Sequence, residues 1–478
     1  GLLRRTPQPL FLTIVEVEFA DGGRDRYFLP LTICAHIDIR GLQERAGHAI
    51  LANITGARKG VLFDGWLDDR FARTLLEALD TQEQVKTRTG SIRALQTSRF
   101  SAIRGTDALV PQRLSIEQSN TSLVFGDRLI LKLFRRLEPG INPDFEIGRY
   151  LTEQAAFTRV PSVLGALEHA GVAEEPSTLA MMQELVESQA EGWTHATDEV
   201  RRFYDAAQSR KAPEVVLPSC GYSALIDTEA PPVIRELMGG YLVTAERLGR
   251  RTGEMHLALA SDASHLAFAP EPFTSDDLAA ISNNAVAEAQ RAFEILESKP
   301  GTAPELLARK QQVLDRLHHR PALEFTASKI RVHGDYHLGQ VLWAEGDFYI
   351  LDFEGEPAKP LVVRRAKQSP LKDVAGMMRS FSYAAHAGLF AYTASRPDAF
   401  ESLSKWAEAW DTWTTGAFLR GYFATVEHAL FVPANPAQRD ELLCLFVLEK
   451  ALYELNYELN NRPEWLRIPA LGIRRLLS

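Results

Sequence analysis

Cysteine is scarce: three among 478 residues, Cys34, Cys220 and Cys444, an odd number at wide spacing. Neither a disulfide framework nor a cysteine-based metal site is expected, and a reducing cytoplasm suits such usage. Long apolar runs are missing too. The longest, Leu442 to Leu448, covers seven residues, whereas a bilayer-spanning helix needs about 20, so no membrane segment is expected. Nor is there a basic stripe. Lys and Arg number 53 against 62 Asp and Glu, a formal charge of −9, which leaves nothing to track a nucleic-acid backbone. Internal repeats and low-complexity tracts are absent. The chain opens Gly-Leu-Leu-Arg-Arg, with no initiator Met or signal-like apolar segment, so either a removed tag or a start inside a longer polypeptide is expected.

What is present is the balance of a globular protein, 45% apolar and 24% charged, in a length that holds about three compact units. Leu10 to Phe19 and Tyr27 to Ile33 flank an Asp21-Gly22-Gly23 turn, a hairpin pattern. Leu67, Phe71, Leu75 and Leu79 then recur at helical spacing. Residues 1–90 thus read as an α+β cap unit, with Thr81 to Arg104 as a polar connection. Residues 91–190 read as a β-rich portion. Residues 191–478 read as mainly helical, with helices expected over 239–262, 275–296, 302–318, 371–387, 400–423 and 437–460. Within this helical part, residues 329–353 stand out: Ile330 to His333, Val341 to Trp343 and Phe348 to Phe353 look like strands, with Ala344-Glu345-Gly346-Asp347 as a turn.

That interruption carries the strongest chemical signal. It reads His333-Gly334-Asp335-Tyr336-His337-Leu338-Gly339-Gln340, followed by Leu351-Asp352-Phe353-Glu354-Gly355-Glu356. Phosphoryl transfer to a hydroxyl needs a carboxylate at the acceptor and oxygen ligands that hold Mg²⁺ on nucleotide phosphates, all on short rigid loops. Asp335, Gln340 and Asp352 satisfy that list. The five-residue step from Asp335 to Gln340 matches the Asp-to-Asn step of a kinase catalytic loop, and Asp352-Phe353-Glu354-Gly355 stands where Asp-Phe-Gly binds metal. The competing reading makes each Asp a surface turn residue. His333 and His337 do not suit a helical metal site, because Gly334 lies between them and no further His or Cys completes a set.

Leu129 to Phe134 is an apolar run with one charge, Lys132, which alternation puts on the face of Ile130 and Phe134. A lysine there calls for an anion, unless it snorkels from an edge strand. Asn142-Pro143 reads as N-cap and first residue of a helix bearing Glu146, the acid chosen as its partner. Ser119, Asn120, Thr121 and Ser122 precede the lysine strand and offer hydroxyl, amide and backbone donors to nucleotide phosphates, without the glycines of a kinase nucleotide loop. Gln183 to Leu185 ends an apolar strand where backbone groups could hold adenine; a buried strand end is the equal alternative. Asp373, in a helix capped by Ser369-Pro370, either braces the catalytic loop from below or is simply structural.

Near the C-terminus, helical spacing stacks Lys450, Tyr453, Glu454, Tyr457 and Glu458 on one face, opposite Leu452, Leu455 and Leu459. Tyr rings with carboxylates between them suit a sugar, and a solvated face with a Lys450–Glu454 pair is the alternative.

On these segments the chain resembles the bacterial maltokinases, related to the aminoglycoside-phosphotransferase branch of the protein-kinase-like superfamily. The likeness rests on Glu117 to Ser122, Asn142 to Arg149, His333 to Gln340, Leu351 to Pro357, Ser369 to Met377 and Lys450 to Pro463. It implies an α+β, bilobal protein-kinase-like fold and ATP- and Mg²⁺-dependent phosphorylation of maltose at its anomeric hydroxyl, giving maltose 1-phosphate for α-glucan synthesis. By that likeness Asp335 is the base, and Gln340, Asp352 and Glu354 face the metal. Lys132 pairs with Glu146 and, with Ser119 to Ser122, Gln183 and Leu185, binds nucleotide. His337, Lys450, Tyr453, Glu454, Tyr457 and Glu458 contact sugar. The Trp- and Gly-rich start usual in that family is missing, which implies a truncated enzyme or the kinase portion of a fusion with trehalose synthase. A kinase for an aminoglycoside-like hydroxyl compound, and a non-catalytic nucleotide-binding scaffold, are the alternative expectations.

Overall fold

The computed structural model describes residues 1–477 apart from 7, 36–38, 57–58, 115–119, 156, 172–174, 212–219, 300 and 319–325. The chain is α+β and divides into two compact units: Gly1–Glu187 with Lys359–Val363, and Ser188–Ala358 with Arg364–Ser478. No described helix is long and apolar enough to cross a membrane.

The first unit is built on two sheets. The expected hairpin forms from Leu10–Glu18 and Arg24–Ala35, in register from Leu10 opposite Thr32 to Glu18 opposite Arg24. Helix Asp69–Asp80 follows, N-capped by the Asp68 side chain, and buries Phe71, Leu75 and Leu79, the residues that set its period. The second sheet has seven strands among the described residues, and within it Leu129–Phe134 lies between Asn120–Phe125 and Ser177–Glu184. The polar stretch expected to be a connection instead contributes Gln84–Lys86 and Gly90–Gln96 to this sheet. Their inward side chains, Val85, Ile92 and Ala94, are too few to leave a visible alternation; Gly90–Gln96 pairs with the distant Val163–Gly171 strand, and Gln84–Lys86 pairs with Gly90–Gln96. An apolar core reaches from Leu3 to Met182, and a smaller cluster joins Cys34, Leu42, Ala46, Ala49, Val61 and Phe63.

In the second unit the long helices lie close to where the periodicity puts them: Pro232–Leu259, Ser275–Ser298, Leu371–Thr393, Phe400–Thr425 and Pro436–Asn461. Helix Gly192–Ala207 was not expected. Pro232–Leu259 packs on Phe400–Thr425 at backbone contact, since a β-carbon at Gly249 would collide with the Phe418 carbonyl and one at Gly421 with that of Glu246. Strands Val341–Ala344 and Asp347–Ile350 form a hairpin with Val341 opposite Ile350, so Gln340 and Leu351 meet at its open end. Cys220 and Cys444 are disulfide-bonded with their Cα atoms 5.4 Å apart, contrary to expectation. Their odd number and separation of 224 positions could not reveal a proximity that only the tertiary fold creates.

Candidate active site

Asp335 stands on the loop that precedes this hairpin. The loop is tied from below, because Asp373, in the first turn of Leu371–Thr393, accepts from the His333 N–H at 2.8 Å and from the Gly334 N–H at 2.9 Å. Gly334 has φ +86°, and a β-carbon there would lie 3.2 Å from the Cα of Gly355 (φ +67°). The loops bearing Asp335 and Asp352 thus touch at two residues without side chains. His333 Nε2 donates to the Leu351 carbonyl at 2.7 Å, and its ring lies 5.0 Å from that of Phe353. Asp352 itself has φ +60°, a left-handed conformation that costs a non-glycine residue about 1–3 kcal/mol and tends to occur at functional sites.

Three cationic or imidazole groups surround Asp335. Lys450 Nζ lies 3.4 Å from Oδ1 and His337 Nε2 lies 4.0 Å from Oδ2. Burial alone would push the Asp335 carboxyl up, but the charge of Lys450, then those of His337 and His333, hold it below the ordinary range. Lys450 responds in the opposite sense: burial opposes its charge, yet Asp335, Glu454 and Glu356 keep the ammonium above its ordinary value. Burial lowers the His337 imidazole, against the pull of the Asp335 carboxylate. The Lys450 ammonium also lies 5.0 Å from the centre of the Tyr453 ring. Burial, then the charge of the Glu356 carboxylate, raises the Tyr453 phenol.

The rest of the expected sugar face is turned inward. Glu454 accepts from Arg379 Nε and Nη2 at 2.9 and 2.7 Å, with both side chains buried. Glu458, 1% exposed, accepts from Tyr383 and Arg462. Tyr457 alone faces outward, at 45% exposure. The structure therefore gathers Asp335, His337, Lys450 and Tyr453, while Glu454 and Glu458 have protein partners. Gln340 holds the hairpin end by accepting from Leu351 N–H at 2.9 Å through its backbone carbonyl. Glu354 is half-buried, and its carbonyl accepts from Arg364.

In the first unit, Lys132 Nζ is 3.2 Å from the wholly buried Asp144 carboxylate. Asp144 follows the Asn142 N-cap, whose side chain accepts the Asp144 N–H, with Pro143 at the first helical position. Glu146 is buried on the same helix. Ser122 is opposite Lys132 in the sheet register, and the Thr121 hydroxyl accepts from Arg135. Asn120 belongs to the same strand, whereas Ser119 lies outside the described residues. Gln183 is buried opposite Ile130, and the Leu185 N–H is already engaged by the Arg128 carbonyl at 2.7 Å.

No family model matches the chain. It aligns with the glucosamine kinase of Streptacidiphilus jiangxiensis at 28% identity over 365 residues, 76% of this chain and 72% of that protein. With the glucosamine kinase of Mycolicibacterium smegmatis the identity is 27% over 417 residues, 86% and 88% of the respective lengths. A solved glucosamine kinase in complex with glucosamine, ADP and inorganic phosphate superposes with a TM-score of 0.66 at 24% identity, covering 99% of this chain and 94% of that one. This chain has the fold of that kinase.

Two acids, one beside Lys132 in the first unit and one beside Tyr453 in the second, escaped the reading of the sequence. Asp144 was visible only as the second residue of a predicted helix, where it looks like a first-turn acid suited to the helix dipole. Glu356 ends the Leu351 to Glu356 segment, and only the folded chain brings it to Tyr453 of the last long helix.

Proposed function

We propose that this protein transfers the γ-phosphoryl group of ATP to a hydroxyl of a sugar, with glucosamine as the foremost acceptor. The observation that carries the reading is Asp335, a carboxylate kept ionised beside Lys450 at 3.4 Å on a loop braced by Asp373. There it orients the attacking hydroxyl and takes its proton as the new bond to phosphorus forms. Little covalent help is needed, because positioning and charge neutralisation supply most of the rate.

Gln340 and Asp352 offer an amide and a carboxylate oxygen from the same end of the hairpin, with Glu354 close in sequence. Hard oxygen donors of this kind suit Mg²⁺, which a protein usually holds by one or two carboxylates while nucleotide phosphates and water complete the shell. Bound there, the ion would neutralise charge on the phosphates. In the first unit, Lys132 beside Asp144, with Thr121 and Ser122 on the next strand, is the set proposed for nucleotide. His337, Lys450 and Tyr453 are the proposed sugar contacts.

Kinship with two proteins named glucosamine kinase supports a sugar as acceptor. Maltose, phosphorylated at its anomeric hydroxyl, is the second reading, because the exposed Tyr457 ring one turn beyond Tyr453 offers a face on which a further sugar unit would stack. ADP release with glucosamine, glucose, maltose and an aminoglycoside separates these readings. With the preferred acceptor, Asp335→Asn is expected to lower turnover by at least ~100-fold while nucleotide binding is retained. Failure to form ADP with every sugar, or full turnover in the variant, would contradict the proposal.

A further inference from the structure

Beneath the proposed catalytic loop runs a buried polar chain that phosphoryl transfer does not by itself require. The Tyr422 hydroxyl lies 3.0 Å from His256 Nδ1, and the opposite ring nitrogen, Nε2, lies 3.0 Å from Asp373 Oδ2. Asp373 in turn accepts from the N–H groups of His333 and Gly334. Three helices contribute: His256 comes from Pro232–Leu259, Asp373 from Leu371–Thr393 and Tyr422 from Phe400–Thr425. All three side chains are buried. One turn before His256, the Thr252 hydroxyl lies 3.0 Å from that of Tyr336. A single helix therefore grips the loop directly at Tyr336 and through Asp373 at His333 and Gly334.

An ionised carboxylate can only accept hydrogen bonds. Burial pushes the Asp373 carboxyl up, yet its hydrogen bond with His256, the charges of His256 and His333 and the Gly334 N–H hold it below the ordinary range. His256 Nε2 therefore carries a proton directed at Asp373, and Tyr422 anchors the far side of the ring. The chain has a task to perform. Gly334 sits at φ +86°, where a glycine left unheld has many alternatives, and the next residue is Asp335. His333, once fixed, reaches the Leu351 carbonyl immediately before Asp352.

We propose that His256 is a positioning residue for phosphoryl transfer: by donating to Asp373 it holds that carboxylate on the two backbone N–H groups that set the place of Asp335. The inference rests on the reading of Asp335 as the base. Misplacing a reacting group by about 1 Å costs on the order of 100-fold in rate.

The test compares wild type, His256→Gln, which keeps an N–H donor, His256→Leu, which keeps bulk alone, and Tyr422→Phe. Turnover with ATP and the accepted sugar is measured together with hydrogen exchange in the peptide 332–336. The Leu variant is expected to lose ~10- to 100-fold in kcat with KM for both substrates within about threefold, and the Gln variant to recover most of the loss. Exchange at His333 and Gly334 is expected to accelerate at least ~10-fold in the Leu variant, the scale of losing about 1.4 kcal/mol of local protection. Equal kcat in folded Leu and wild-type protein, a parallel loss in Gln and Leu that follows melting temperature alone, or unchanged exchange would overturn the inference. Should the Leu variant not fold, Tyr422→Phe decides: a several-fold lower kcat at unchanged KM supports the clamp, and wild-type kcat overturns it. Wild-type protein inactive on every sugar would instead strike at the proposed function, and the exchange measurement would still read the clamp.

Discussion

Asp335 meets the ammonium of Lys450, 115 positions further along the chain. Burial raises the carboxyl and the neighbouring charges more than compensate, Lys450 foremost among them. Removing that ammonium by Lys450→Met leaves burial in place, so the carboxyl pKa must rise. The acid limb of kcat/KM is then expected to move to higher pH, as an ionisable carboxyl does when an adjacent opposite charge is taken away. An unmoved limb in the pH–rate profile would show that Lys450 does not tune the base. Glu454 is expected to act on stability rather than on substrate. Glu454→Gln removes the ion-pair partner of the buried Arg379 guanidinium, and breaking a buried pair typically costs about 3–5 kcal/mol. Denaturant unfolding measures this. A large rise in sugar KM with unchanged stability would return Glu454 to the acceptor site. The types and order of residues from His333 to Gln340 were enough to point to phosphoryl transfer. The inward rotation of Glu454 and Glu458 was not visible, because helical spacing defines a face without saying what it faces.

At the scale of elements, helix Pro232–Leu259 gives two opposite expectations from one residue type. Gly249→Ala places a β-carbon against the Phe418 carbonyl, where both helix backbones must move. Overpacking of this kind costs about 1–3 kcal/mol. Gly239→Ala, ten positions earlier and with nothing within 4 Å of the added carbon, is expected to stabilise by up to about 1 kcal/mol through helix propensity. Melting temperatures of the two variants check the pair, and shifts of the same sign would contradict the close helix contact. The same helix shows why element types were easier to read than contacts. Its apolar period announces a helix, but nothing in the local pattern says that His256 meets Tyr422 of a helix 166 positions away. Strands Gln84–Lys86 and Gly90–Gln96 were hidden for a related reason, since their partners rather than their own composition make them strands.

At the scale of the whole molecule, the likeness to a solved glucosamine kinase extends over 99% of the chain. The α+β fold expected from the sequence is therefore the fold observed. The acceptor is harder to read than the fold. Maltose was expected from the resemblance, whereas the relatives the chain matches are named for glucosamine. The residues proposed for phosphoryl transfer lie in two short loops, whereas Tyr453, a proposed sugar contact, and Glu356 are brought together only by the tertiary fold. The most direct measurement is ³¹P NMR of the protein incubated with ATP, Mg²⁺ and glucosamine, and in parallel with maltose, each with an Asp335→Asn control. A sugar phosphate-ester resonance growing with ADP in the wild-type sample, and absent from the control, is the expected result. ADP and inorganic phosphate without any sugar ester, or equal ester formation in the control, would contradict sugar phosphorylation at Asp335.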